Sequence, residues 1–273
     1  MPHLRSVTLR DRPDSSEHGA ERFPFDLPII RALETLPFDG AVTFLVGENG
    51  SGKSTLLEAI AAAAGLPTVG SEAIDHDETL EAQRTLARAL SLTWNRRVRR
   101  GFFLRAEDFF GFTKSLSRLR AELLARMREI DEEYAGRSAY AKRLAKGPMA
   151  ASLADMERRY GINLDENSHG QSFLKLFQSR FVPGGLYLLD EPEAPLSPQS
   201  QLALMAMMGG MVADDAQFII ATHSPILLGF PDAAIWSCDR VPIARVPYDE
   251  LEHVVITRDF LNARDRYLKH LLG

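Results

Sequence analysis

Gly47-Glu48-Asn49-Gly50-Ser51-Gly52-Lys53-Ser54-Thr55 follows the pattern G-x-x-x-x-G-K-[ST]. Chemistry at a phosphate chain needs these residue types in this order. Small residues let successive backbone N–H groups turn inward around a triphosphate. Lys53 adds a point charge for the β- and γ-phosphates, and the Ser54 hydroxyl is a ligand for Mg²⁺. Two more polar clusters follow apolar runs. Asp190-Glu191 closes Leu186-Tyr187-Leu188-Leu189, at 137 residues after Lys53 (190 − 53). Asp190 is the candidate to hold Mg²⁺, commonly through its water shell, and Glu191 to orient or deprotonate an attacking water. His223 lies in Thr222-His223-Ser224-Pro225, after Phe218-Ile219-Ile220-Ala221, where a strand end favours a role beside a γ-phosphate.

These side chains meet only if the elements beneath them form one sheet. Ala41–Val46 reads as a buried strand, and Thr55–Ala64 as a strong helix former whose N-terminus faces the phosphates. Leu186–Leu189 and Phe218–Ala221 read as further buried strands, with helical residues from Pro198 to Met211 between them. Strands alternating with helices imply a parallel sheet with crossovers, which brings strand ends to one edge. The first 40 or so residues read as β-rich, broken at Pro13, Gly19, Pro24, Pro28 and Pro37. Residues from about Glu72 to Asp165 are mostly helical by periodicity, with an apolar stripe along Ser115–Ile130 that reads as a packing face.

Composition bounds the rest. A chain of 273 residues, 25% charged and 45% hydrophobic, suits one large α/β domain or a domain with an insertion. A formal net charge of −5 argues against a globally basic nucleic-acid binder while leaving room for a local basic patch. The single cysteine, Cys238, rules out an intrachain disulfide and suits a reducing compartment. Arg5, Arg10, Asp11 and Arg12 interrupt any apolar stretch of signal-peptide type, and the apolar run Leu202–Val212 is too short to span a bilayer. The expectation is a soluble, cytoplasmic protein.

The ordered motifs resemble those of the ABC-type ATPases over residues 23 to 230. Gly47–Thr55 matches the Walker A loop, Leu186–Glu191 the Walker B strand with its catalytic glutamate, and His223 the switch histidine. Asn167-Ser168-His169-Gly170-Gln171-Ser172 stands where the family places its signature; Ser168, Gly170 and Gln171 match, whereas Asn167 and His169 depart from the common form. The loop sequence, the Ser-His-Gly signature and the long helical insertion resemble the small stand-alone ATPases of the RecF/SMC/overcoming-lysogenisation-defect group. The resemblance implies an α/β P-loop fold with an N-terminal antiparallel β portion. Its core is formed by residues 1–71 and 168–273, with an insertion over about 72–167. It implies ATP and Mg²⁺ as ligands, hydrolysis of ATP, and a head-to-tail homodimer. In that dimer Ser168, Gly170 and Gln171 of one chain complete the site that Gly47, Glu48, Asn49, Gly50, Ser51, Gly52, Lys53, Ser54 and Thr55 begin in the other.

Other assignments stay open at this level. Ser168 also reads as an ordinary helix cap. Ser197 stands where the family's D-loop usually has Asp. Gly101–Asp108 occupies the Q-loop position without a Gln, leaving Glu107 as a metal ligand or a surface carboxylate. Phe23 and Phe25 are candidates to stack on adenine, or else core aromatics. Arg84 to Arg105 holds seven arginines and no acids around Trp94, Phe102 and Phe103. It is a candidate nucleic-acid contact, or else a solvated helix face or partners for internal acids. Residues 113–166 hold eleven Lys/Arg against nine Asp/Glu, so the arm itself is nearly neutral. A soluble partner or nucleic acid fits the stand-alone reading. A membrane permease fits the alternative of a transporter subunit, and an interaction module with little turnover is a third reading.

Overall fold

The computed structural model describes residues 1–10, 23–69, 81–160 and 169–272. Two sheets share the core. A three-stranded antiparallel sheet has β1 (Leu4–Leu9) between β2 (Thr35–Pro37) and β4 (Leu90–Trp94). The larger sheet runs β5 (Gly101–Arg105), β6 (Leu186–Asp190), β7 (Gln217–Ala221), β3 (Val42–Val46), β8 (Ala234–Ser237), β9 (Ala244–Arg245). Its first five strands are parallel and β9 is antiparallel. The α/β fold with an N-terminal antiparallel portion is therefore as expected.

Apolar runs without polar alternation suit strands covered on both faces. Val42, Phe44, Phe102, Leu104, Tyr187, Leu189, Phe218 and Ile220 enter one core; Leu45, Phe103, Leu186, Leu188, Ile219 and Ala221 enter the other. That split is the two-residue period of a strand. The second core is closed by α2 (Lys53–Ala64), through Leu56, Leu57 and Ile60, and by the small sheet. The buried Gln217 side chain ties the sheets together, accepting from Leu4 N at 2.8 Å and donating to Leu4 O at 2.9 Å.

The first core is closed by α6 (His169–Arg180) and α7 (Pro198–Ala213). Phe173 and Phe177 of α6 stack into an aromatic cluster with Phe102, Phe109, Phe181 and Tyr187, which fixes where the start of α6 lies. The segment expected to be mostly helical contains α3 (Glu81–Ala89), β4 and β5 before it becomes an arm. The arm is α4 (Ala106–Glu133) packed against α5 (Ala139–Tyr160), laced by Arg120–Glu157 and Lys146–Asp131 ion pairs. Short helices α1 (Pro28–Arg31) and α8 (Pro225–Leu228) and the C-terminal α9 (Glu252–Asn262) and α10 (Arg264–Leu272) complete the described chain. Among the described residues no helix is long and apolar enough to cross a membrane.

Candidate functional site

Parallel pairing sends the C-terminal ends of β3, β5, β6, β7 and β8 to a common edge. Because β7 lies between β3 and β6, Thr222–Ser224 emerge between the loop after β3 and the carboxylates after β6. The pairing continues beyond the strands: Glu191 N donates to Ala221 O at 2.8 Å, and Thr222 N to Leu45 O at 3.2 Å.

The loop Gly47–Gly52 bends into α2 through glycine geometry. Gly52 has φ +93°, and a Cβ there would sit 3.0 Å from Ile29 Cδ1. A side chain at this position would meet both backbone strain and the packed α1. Lys53 is buried, and its Nζ donates to Gly47 O at 2.6 Å and Glu48 O at 2.9 Å. Ser54 Oγ donates to Asp190 Oδ1 at 3.1 Å. Burial pushes the Asp190 carboxyl up to about 7, with the Ser54 hydrogen bond opposing the shift. A desolvated carboxylate beside a hydroxyl oxygen is a hard-oxygen donor pair, which fits Mg²⁺. Ser51 Oγ is buried without a hydrogen-bond partner among the described residues, as a loop built to wrap an anion would have it.

Glu191 sits in the left-handed region at φ +48°, a conformation that costs a non-glycine residue free energy and is common at active sites. Its Oε1 lies 3.8 Å from His223 Nε2, and that nitrogen is buried without a hydrogen-bond partner among the described residues. Glu193 fixes the backbone opposite: its Oε1 accepts from His223 N at 2.7 Å. Ser197, where the resemblance led to doubt about the D-loop, caps α7 by accepting from Ser200 N at 3.2 Å. Gln201 extends the network, donating to Leu196 O at 3.2 Å and accepting from Ser224 Oγ at 2.5 Å.

Gly170 and Gln171 lie in the first turn of α6, while Asn167 and Ser168 fall outside the described residues. Gly170 is buried against the 193–197 loop, and a Cβ on it would lie 3.2 Å from Pro195 O. Gln171 is exposed. Thus the start of α6, the loop after β6 and Thr222–Ser224 are one packed unit.

Several expectations need correction. Phe25 is a core residue at 8% exposure, so it does not stack on a base; Phe23 is 49% exposed. Phe102 and Phe103 are buried in opposite faces of the sheet and cannot stack on nucleic-acid bases. Trp94 packs against the core. The arginine run is divided as well. Arg105 ends β5 at the phosphate edge, paired with Glu58 of α2 at 2.7 Å, whereas Arg96, Arg97, Arg99 and Arg100 precede β5 at the opposite edge. Arg96 pairs with Asp215 at 2.6 Å. Glu107, in the first turn of α4, has its side chain 78% exposed and 3.8 Å from Arg105.

Two contributors were missed in the sequence. Asp239 Oδ1 accepts from Glu48 N at 2.7 Å and anchors the loop from the far side. It follows an apolar strand, β8, just as Asp190 follows β6, so the strand-end pattern was its signal. His253, on α9, has its ring centroid 6.4 Å from that of His223, and nothing local in the sequence marks it.

The loop–helix unit on β3 and the Asp–Glu pair at the end of β6 thus meet at one edge of a mainly parallel α/β sheet. Residues 42–169 match the family described as "AAA domain, putative AbiEii toxin, Type IV TA system". No curated protein matches the chain. Among solved structures, the Smc head domain from Pyrococcus furiosus with an extended coiled coil, bound to the C-terminal domain of ScpA, is similar at 11% identity and a TM-score of 0.44, covering 94% of this chain and 100% of that one. A nucleotide-free ATP-binding cassette from an ABC transporter is similar at 18% identity and a TM-score of 0.46, covering 94% and 96%. The SMC head domain from Thermotoga maritima gives 15% identity and a TM-score of 0.37, covering 90% and 98%.

Proposed function

We propose that the chain binds ATP with Mg²⁺ and hydrolyses it to ADP and phosphate. The observation that supports this most is the meeting of Ser54, Asp190, Glu191 and His223 at one sheet edge, from three separate parts of the chain. Lys53 and the backbone N–H groups at the start of α2 would hold the phosphates, and Ser54 and Asp190 would hold the metal. A Mg²⁺ bound there would supply positive charge to the phosphoryl oxygens. Glu191 accepts a proton from water or orients it for in-line attack, and His223 holds the terminal phosphate.

The cycle is proposed to close a homodimer. The start of α6, with Gly170 buried and Gln171 exposed, offers N–H groups to the nucleotide of a second copy. Ser168 is included in that surface on the family resemblance alone. The arm and the exposed Arg97, Arg99 and Arg100 then work on nucleic acid or a soluble partner, in DNA maintenance or defence. Glu107 remains a candidate metal ligand at the same edge.

ATP turnover by the wild type against Lys53→Ala tests the first step. Loss of both affinity and rate in the variant supports it; equal turnover removes it. Pull-down with an ATP-trapped Glu191→Gln protein separates the partners. Nucleic acid or a soluble protein supports the stand-alone role, and a membrane permease replaces it with a transporter subunit.

A further inference from the structure

His253 belongs to no motif, yet α9 brings it to the switch histidine. The two ring centroids lie 6.4 Å apart with planes at 68°, an edge-to-face arrangement. Nε2 of each ring is buried without a hydrogen-bond partner among the described residues. A buried ring nitrogen without a partner is costly unless it serves a polar ligand.

The helix that delivers His253 is firmly seated. Val254 is buried in the first core beside Leu251, and Tyr248, in the turn before α9, donates from its hydroxyl to Pro225 O at 3.0 Å. Pro225 directly follows the switch segment, so α9 is fixed to the element that carries His223. Burial lowers the His253 pKa from its ordinary value, and the neighbouring His223 lowers it further, with Asp239 and Glu252 opposing. A lowered pKa favours the neutral ring here, so His253 brings no cation of its own to the pair.

We propose that His253 is the positioning residue of the switch histidine: its ring fixes the plane of His223 so that Nε2 of His223 addresses the terminal phosphate of a nucleoside triphosphate beside Glu191. This rests on the hydrolysis reading above. A side chain that holds another in place acts on the rate, because small displacements of a reacting group cost large factors in turnover.

The test uses the full chain. His253→Ala removes the ring, and His253→Phe keeps the ring and its packing without the nitrogens. With His253→Ala, kcat is expected to fall by at least about tenfold with KM little changed. His253→Phe is expected to recover most of the loss. In a His223→Ala background His253→Ala is expected to add nothing, since it acts through the missing ring. Turnover of His253→Ala within about twofold of wild type, no recovery in His253→Phe, or losses that multiply in the double variant would overturn the proposal. Histidine ring-nitrogen NMR gives a second readout independent of turnover. The His223 resonances are expected to shift in His253→Ala, and unchanged resonances sink the inference. An inactive wild type with that shift present points instead to failure of the hydrolysis reading.

Discussion

Ser54 Oγ donates to Asp190 Oδ1 across 3.1 Å, although 136 residues separate the two in the chain. That contact joins the start of α2 to the end of β6 and sets the oxygen pair proposed to hold a divalent cation. It also places a carboxylate where burial disfavours its charge.

Replacing Asp190 should therefore separate stability from ligand binding. Asp190→Asn removes a desolvated charge, so the nucleotide-free protein is expected to melt no lower than wild type. Stabilisation by saturating Mg²⁺–ATP, about 2.7 kcal/mol at a hundredfold excess over Kd, is expected to disappear. Differential scanning fluorimetry with and without Mg²⁺–ATP reads both. An undiminished ligand-induced shift in Asp190→Asn would remove the metal assignment.

The Glu58–Arg105 pair joins the phosphate-loop helix to the root of the arm. Both side chains are largely buried, at 10% and 16% exposure, so removing one partner strands the other. Glu58→Leu is expected to cost about 3–5 kcal/mol, and Glu58→Leu with Arg105→Met together clearly less than the sum. Chemical denaturation of the four proteins in the cycle checks this, and simple additivity contradicts it.

The same pair sets a pH dependence. Burial raises the Glu58 pKa above its ordinary 4.5, with Arg105 opposing. The folded protein then holds a proton that the unfolded chain has released. This contribution to stability is full below 4.5 and is lost as pH rises through the folded value. Glu58→Gln should flatten that decline in denaturation measured across the acid range; an unchanged slope would exclude Glu58 as its source.

The motifs were legible because their chemistry is local. A phosphate loop needs its glycines, Lys53 and Ser54 consecutively, and an apolar run ending in Asp190-Glu191 identifies a buried strand by itself. Partnerships between elements were not. Arg105 and Arg96 belong to one basic run in the sequence, but β5 carries the first to the phosphate edge and leaves the second at the other end. Phe102 and Phe103 looked available to bases, but alternation along a doubly covered strand buries both neighbours, which residue type alone does not reveal. His253 reaches the site only because the chain turns back after β9, a consequence of tertiary packing.

The basic loop is a separate question from turnover. Arg97, Arg99 and Arg100 are exposed, whereas Phe102 and Phe103 are buried in the core and Trp94 packs against it. Any nucleic-acid contact there should therefore be to phosphates and insensitive to sequence. Replacing all three with Glu is expected to weaken duplex binding and reduce the salt slope by about 2–3. Fluorescence anisotropy at several salt concentrations measures both, and identical curves would clear the loop of that role.

The most direct test of the account is single-turnover and steady-state ATP hydrolysis by Glu191→Gln beside wild type. The expected result is ATP binding of unchanged affinity with hydrolysis slowed by about 10²-fold or more. Hydrolysis by Glu191→Gln at the wild-type rate, or a wild type that binds ATP and does not hydrolyse it, would contradict the account.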